Sequence, residues 1–149
     1  MSSPTDETQL KILIADDSDD DVARTRSVLY ECFPNSSVRW VKDGEELIDY
    51  LENRKVYKDP HLNPRPNVVL LDLNMPRRSG IEALNIIRAN PALRLLPVVV
   101  LSGARTVYSM KHAHDLGILG FLRKPFGPDE ASDLLRILAE SGVRGLVRF

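Results

Sequence analysis

Val68-Val69-Leu70-Leu71-Asp72 sets four consecutive aliphatic side chains against one carboxylate. A run that short, rich in Val and Leu and without polar alternation, reads as a strand buried on both faces, the kind found in parallel sheets. Three further runs repeat the pattern. Ile12-Leu13-Ile14-Ala15 ends at Asp16 and Asp17, Val98-Val99-Val100-Leu101 ends at Ser102, and residues 118–122 stop shortly before Lys124. In an open parallel sheet the strands all point one way and ligands bind just outside their carboxyl ends. The polar residues Asp16, Asp17, Asp72, Ser102 and Lys124 are therefore expected to converge.

Between the runs lie helical segments. Ser18 opens the first, with Asp21 as its capping-box partner and Asp19 and Asp20 favoured by the helix dipole. Val22, Leu29 and Phe33 are expected to face the core and Arg26 to face outward, with Pro34 ending the element. Residues 38–41 form another strand containing Trp40, and Asp43-Gly44 leads into a helix carrying Leu47, Ile48 and Leu51. After Asp72 comes a loop over residues 74–80, fixed by Pro76, and then a helix with Ile81, Leu84, Ile86 and Ile87 that ends near Asn90-Pro91. Residues 105–116 form a helix stopped by Gly117, and residues 129–140 form the last, with Ala131, Leu134, Leu135 and Leu138 on one side. Strand and helix alternate five times, which predicts an α/β three-layer sandwich with helices on both faces of a five-stranded parallel sheet. The domain is expected over residues 10–141, after a disordered polar leader at 1–9 and before an extension at 142–149. Residues 53–66 hold three prolines and exceed most connections in length, as a surface excursion or a recognition element.

Bulk properties remove several classes of function. At 149 residues, one domain buries roughly 70% of the surface of its unfolded chain and needs no staple. Twenty Lys and Arg against 21 Asp and Glu give a net charge of −1, so there is no electrostatic case for nucleic acid. The single Cys32 has no intrachain partner and the first nine residues lack the apolar core of a signal peptide; both suit a reducing cytoplasm. No apolar stretch approaches the roughly 20 residues that cross a bilayer. Asn35-Ser36-Ser37 reads as a polar turn after Pro34 rather than a glycosylation site. His112 and His114, two apart, share no helix face and read as surface residues. Neither a P-loop nor a G-x-G-x-x-G is present.

The remaining pattern is chemical. An Asp-Asp pair after a strand is equally consistent with capping and solvated charge. Asp72 directly after four buried aliphatics is more specific, and Lys124 before Pro125 adds to it. Carboxylates gathered at one edge repel unless a cation is present, and oxygen donors with room for water suit Mg²⁺. A carboxylate can attack phosphorus to form an acyl phosphate while a metal and a lysine neutralise the equatorial oxygens. Asp72 is the natural nucleophile.

Over residues 11–140 the chain resembles the receiver domains of bacterial two-component response regulators. The family's acidic pair corresponds to Asp16 and Asp17, its phosphoacceptor to Asp72, its switch hydroxyl to Ser102 and its lysine to Lys124. Phe121 stands at the switch aromatic, commonly tyrosine, and Met75-Pro76 with Gly80 match the loop after the phosphoacceptor. The resemblance implies a flavodoxin-like fold with strand order 2-1-3-4-5. It implies Mg²⁺ bound by Asp17, Asp72 and the Asn74 carbonyl, with Asp16 acting through water. Lys124 would contact one phosphoryl oxygen, with a cis bond to Pro125, and Ser102 another. Gly103 and Ala104 would leave the approach open. Phe121 lacks the tyrosine hydroxyl, and a plain core aromatic is an equally good account of it.

The same resemblance implies a stand-alone regulator, phosphorylated by a sensor histidine kinase and acting through protein contacts with a downstream partner. It would catalyse nothing beyond its own phosphorylation and dephosphorylation. A phosphohydrolase with the same nucleophile would need a second Asp two residues after Asp72, where Asn74 stands. The insert at 53–66 and the sequence Leu70-Leu71-Asp72-Leu73-Asn74-Met75-Pro76 also resemble receivers paired with bacterial phytochromes, although those relatives often carry threonine at the Ser102 position. A phytochrome kinase is thus a candidate partner. Val143, Leu146, Val147 and Phe149 make the end of the chain apolar, to pack on its own domain or on a second subunit of a homodimer.

Overall fold

The computed structural model describes residues 9–75, 77–103 and 107–143. The expectations for the leader at 1–8, for Pro76, for Ala104 and Arg105, and for the apolar residues of the segment 144–149 lie outside the described residues. Five parallel strands, β1 (Lys11–Ala15), β2 (Ser37–Val41), β3 (Val68–Leu71), β4 (Val98–Ser102) and β5 (Gly120–Arg123), form one sheet in the order β2-β1-β3-β4-β5. The helices are α1 (Asp19–Cys32), α2 (Gly44–Leu51), α3 (Gly80–Ala89), α4 (Val107–Asp115) and α5 (Pro128–Glu140).

Alternation along the strands divides the core in two. Leu13, Ala15, Val69, Leu71, Val98 and Val100 pack with Leu47, Leu84, Ile87 and Ala113 on the side of α2, α3 and α4. Ile12, Ile14, Val68, Leu70, Val99 and Leu101 pack with Leu29, Leu134 and Leu138 on the side of α1 and α5. Both faces of the central strands are covered, which is why their sequences are continuously apolar. Each fully buried Leu, Ile or Val contributes roughly 1.5–3 kcal/mol of transfer free energy.

The register positions the carboxyl edge. Ala15 pairs with Leu71, so Asp16 and Asp72 emerge side by side from adjacent strands. Asp72 N donates to Ala15 O at 2.9 Å, and Asp16 N to Val41 O at 3.0 Å. Gly80, at the first position of α3, brings that helix onto the backbone after the strand. A Cβ there would strike the Asp72 carbonyl oxygen and lie 2.7 Å from Leu73 Cα.

Several expectations are corrected. The fifth strand is Gly120–Arg123 rather than 118–122. Gly117, in the left-handed conformation at φ +76°, stops α4 as expected, and Ile118 and Leu119 are then spent reaching the register in which Gly120 pairs with Val99. As an edge strand bonded only to β4, β5 is not fully buried: Gly120 and Phe121 are half-covered and Arg123 is exposed. The buried stripe of α5 is Ala131, Leu134 and Leu138, which leaves Leu135 at 45% exposure. Phe33 is half-buried at the C-cap of α1. The capping box at Ser18 is only half formed. Ser18 Oγ accepts from Asp21 N at 3.2 Å, but Ser18 N donates to Asp16 Oδ1 at 2.9 Å instead of to Asp21.

The segment 53–66 is an ordered excursion with a short 3₁₀ turn at Lys55–Tyr57. Tyr50 Oη donates to Pro64 O at 2.9 Å, and Asn53 Nδ2 is shared between the carbonyls of Tyr57 and Asn63 at 3.0 and 3.1 Å. Val143 N donates to Leu138 O at 3.1 Å and its side chain packs against the α1/α5 core, so the chain beyond α5 begins against its own domain. Among the described residues no helix is long and apolar enough to cross a membrane.

Gly80→Ala is expected to lower stability by about 1–3 kcal/mol, because the added methyl meets backbone that is slow to yield. Gly103→Ala serves as the contrast: its Cβ would meet Lys124 Cβ at 3.8 Å and Lys124 Cδ at 4.0 Å, both ordinary contacts, and the change should stay within about 0.5 kcal/mol. Urea midpoints of the two variants check both values.

Candidate functional site

Asp16 is the first residue past β1 and is almost fully buried. Its Oδ1 accepts from Ser18 N at 2.9 Å and its Oδ2 lies 2.7 Å from Lys124 Nζ. Asp17, one residue on, is exposed. Asp72, just past β3, is also buried. Its Oδ1 accepts from Asn74 N at 3.0 Å and from Ser102 Oγ at 3.2 Å, and its Oδ2 accepts from Lys124 Nζ at 2.9 Å. Ser102 closes β4 with no exposed surface. Lys124 follows β5 and is joined to Pro125 by a cis peptide bond, as the family resemblance implied.

Asp21, in the first turn of α1, completes the arrangement by accepting from Lys124 Nζ at 3.0 Å through Oδ2. A lysine ammonium has three N–H donors, and here they meet three carboxylates from three places in the chain. Sequence reasoning assigned Asp21 to capping. The available signal was helical spacing: Asp21 lies four residues before buried Thr25 and so shares its side of α1, while Asp19 and Asp20 are exposed. Trp40 also escaped notice as a site neighbour. Its indole Nε1 donates to the Asp16 carbonyl at 2.6 Å, bracing the loop that carries the acidic pair.

The electrostatics follow from burial and pairing. Burial raises the Asp16 carboxyl above the usual carboxylate range, against the opposing bonds from Lys124 and from Ser18 N, and the charge of Asp72 adds to the rise. For Lys124 the largest single influence is burial, which works downward. Hydrogen bonds to Asp16, Asp72 and Asp21 together outweigh it and hold the ammonium well above its ordinary value. The lysine is firmly cationic.

Carboxylate oxygens of Asp16, Asp17 and Asp72 lie within 4.8 Å of one another. An all-oxygen set with one exposed member offers a hard divalent cation both ligands and access, so the residues fit such an ion. Asn74 is exposed next to this group, and Gly103 is exposed at its rim. Phe121 stands apart. It pairs with Val100 in the sheet and packs half-buried against the core on the α2–α4 side. The loop after Asp72 is tied to α2. Arg77, at φ +62°, donates from Nε to Asp43 Oδ2 at 2.9 Å, while Gly44 N donates to Arg78 O at 3.1 Å.

Comparison with known proteins agrees with this geometry. The family model of the response regulator receiver domain matches residues 12–136. Response regulator Rcp1 of Synechocystis sp. is 32% identical over 113 residues, which cover 76% of this chain and 75% of Rcp1. A solved Mn²⁺-bound form of Rcp1 superposes with a TM-score of 0.70 at 25% identity, over 93% of this chain and 97% of that one. The bacteriophytochrome response regulator AtBRR gives a TM-score of 0.78 at 29% identity, over 95% of this chain and 96% of its own. RPA3017, a response regulator in red light signaling of R. palustris, gives 0.76 at 30% identity, over 87% and 91%. Other curated relatives are longer, and the chain spans only 62% of a probable methanogenesis regulator and 25% of a probable cyclic di-GMP phosphodiesterase. With the five-stranded order, the edge-clustered carboxylates and these matches together, the chain belongs to the response regulator receiver domain family, and its relatives include the phytochrome-associated members.

Proposed function

We propose that this protein accepts a phosphoryl group on Asp72 from a sensor histidine kinase, in a Mg²⁺-dependent reaction, and signals through protein contacts in the cytoplasm. The observation that carries this reading is the dressing of Asp72: a buried carboxylate with an ammonium on one oxygen and a serine hydroxyl on the other. Asp17, Asp72 and the Asn74 carbonyl would hold Mg²⁺, with Asp16 acting through water. When bound, the ion supplies positive charge to the phosphoryl oxygens.

The chain's own residues do the rest. An Asp72 oxygen attacks phosphorus in line, the phosphorus–nitrogen bond of the donor phosphohistidine breaks, and the electron pair leaves with the imidazole. Lys124 exchanges its bond to Asp72 for a bond to a phosphoryl oxygen, a charge-assisted contact made by an ammonium that is itself mostly buried. Ser102 Oγ turns from Asp72 Oδ1 to donate to a second phosphoryl oxygen. Phe121 then serves as the aromatic that repacks behind the Ser102 loop, with Gly103 keeping the approach to the phosphoryl group open. Asn74 is an amide that does not ionise near neutral pH and cannot act as general acid or base, which favours a receiver over a phosphohydrolase with the same nucleophile. A phytochrome kinase is the favoured donor, because the proteins this chain resembles in sequence and shape include Rcp1, the bacteriophytochrome response regulator AtBRR and a response regulator of red light signaling.

Incubation with Mg²⁺ and acetyl phosphate is expected to add the mass of one phosphoryl group, with no gain in Asp72→Ala or in excess chelator. An inert wild type, or a gain retained in Asp72→Ala, contradicts the proposal. Lys124→Met is expected to slow the same reaction roughly tenfold to a hundredfold, the equivalent of losing one hydrogen bond from a charged donor. The same variant should bind Mg²⁺ more tightly than wild type, because the competing ammonium is gone from Asp16 and Asp72; calorimetry measures that affinity.

A further inference from the structure

We infer that Asp21 is a positioning residue for phosphoryl transfer, the anchor that keeps the Lys124 ammonium at the reaction centre while its other two carboxylate partners are occupied. The inference rests on the proposed function and extends it to a residue outside the acidic pair. Lys124 Nζ contacts Asp16 at 2.7 Å, Asp72 at 2.9 Å and Asp21 at 3.0 Å. Two of those carboxylates belong to the cluster whose oxygens gather within 4.8 Å, and Asp21 does not. When Asp16 and Asp72 serve the cation and the incoming phosphoryl group, Asp21 is the one member of the three left to hold the lysine.

Lysine needs such a hold. Its charge sits on a flexible four-carbon stem with several competing rotamers, and binding a phosphoryl oxygen is productive only from one of them. Asp21 suits the task. It is fixed by the first turn of α1, where its main-chain N–H donates to Ser18 Oγ at 3.2 Å. Its side chain is 35% exposed against 3% for Asp16 and 8% for Asp72, so solvent tempers its charge. An acceptor of that kind orients the ammonium without adding the full repulsion of a buried carboxylate to the arriving phosphoryl group.

The test compares wild type, Asp21→Ala and Asp21→Asn at saturating Mg²⁺ with acetyl phosphate as donor, together with the Lys124 ¹⁵Nζ ammonium signal by NMR. Asp21→Ala is expected to slow phosphorylation roughly tenfold at saturating Mg²⁺, in line with loss of a hydrogen bond to a charged group, with the ammonium signal broadened by faster exchange. Asp21→Asn keeps an acceptor oxygen and should retain most of the rate and of the signal. A rate in Asp21→Ala equal to or above wild type overturns the inference, and so does a slow variant whose ammonium signal is intact. A wild type that takes up no phosphoryl group overturns the proposed function and this inference together, whereas an active wild type matched by Asp21→Ala overturns this inference alone.

Discussion

One ammonium group organises the carboxyl edge of the sheet. Lys124 Nζ lies within 3.0 Å of oxygens from Asp16, Asp21 and Asp72, and so ties the segment after β5 to the end of β1, the start of α1 and the end of β3. Buried carboxylates on neighbouring strands repel, and each has lost most of its water. Without the lysine, Asp16 and Asp72 would be left as uncompensated buried charges. With it, each has a cationic partner and further donors: Ser18 N for Asp16, Asn74 N and Ser102 Oγ for Asp72.

Such a cluster is a poor way to stabilise a fold, because hydrophobic replacements of buried ion pairs are often neutral or stabilising. Its presence at the edge of an otherwise aliphatic sheet is better explained by chemistry. The sheet supplies rigidity, with two covered faces and the register Ala15 opposite Leu71, which sets the two carboxylates side by side. Gly80 brings α3 against the Asp72 backbone, and the Arg77–Asp43 pair moors the following loop to α2. The Asp72 carboxylate is thus held between several elements, while exposed Asp17 keeps the cluster open to solvent.

Much of this was legible in the sequence because burial on both faces leaves a plain trace. Continuous aliphatic runs marked β1, β3 and β4, and the polar residue after each run fell at the same edge. Where burial is one-sided the trace blurs. The edge strand β5 lies two residues later at its start than its apolar run suggests, because Ile118 and Leu119 are apolar connectors and the exposed Arg123 is part of the strand. Leu135 shows the same limit in a helix, where an apolar residue next to the core stripe points partly outward. Asp21 was hidden for a different reason. An acidic residue in the first turn of a helix already has a sufficient local explanation, and its contact with Lys124, 103 residues away, exists only in three dimensions. The Trp40 bond to the Asp16 carbonyl is equally non-local and depends on the pairing of β2 with β1.

That bond makes the site observable. Trp40 is the single tryptophan of the chain, and its indole donates directly to the residue that opens the acidic pair. A Mg²⁺ titration followed by Trp40 emission tests most directly whether Asp16, Asp17 and Asp72, whose carboxylate oxygens lie within 4.8 Å of one another, form a cation site. A saturable one-site change in wild type, with affinity weakened roughly tenfold or more in Asp17→Asn by loss of a charged ligand, is the predicted result. Emission that stays flat with Mg²⁺, or a titration that Asp17→Asn leaves unchanged, would contradict it.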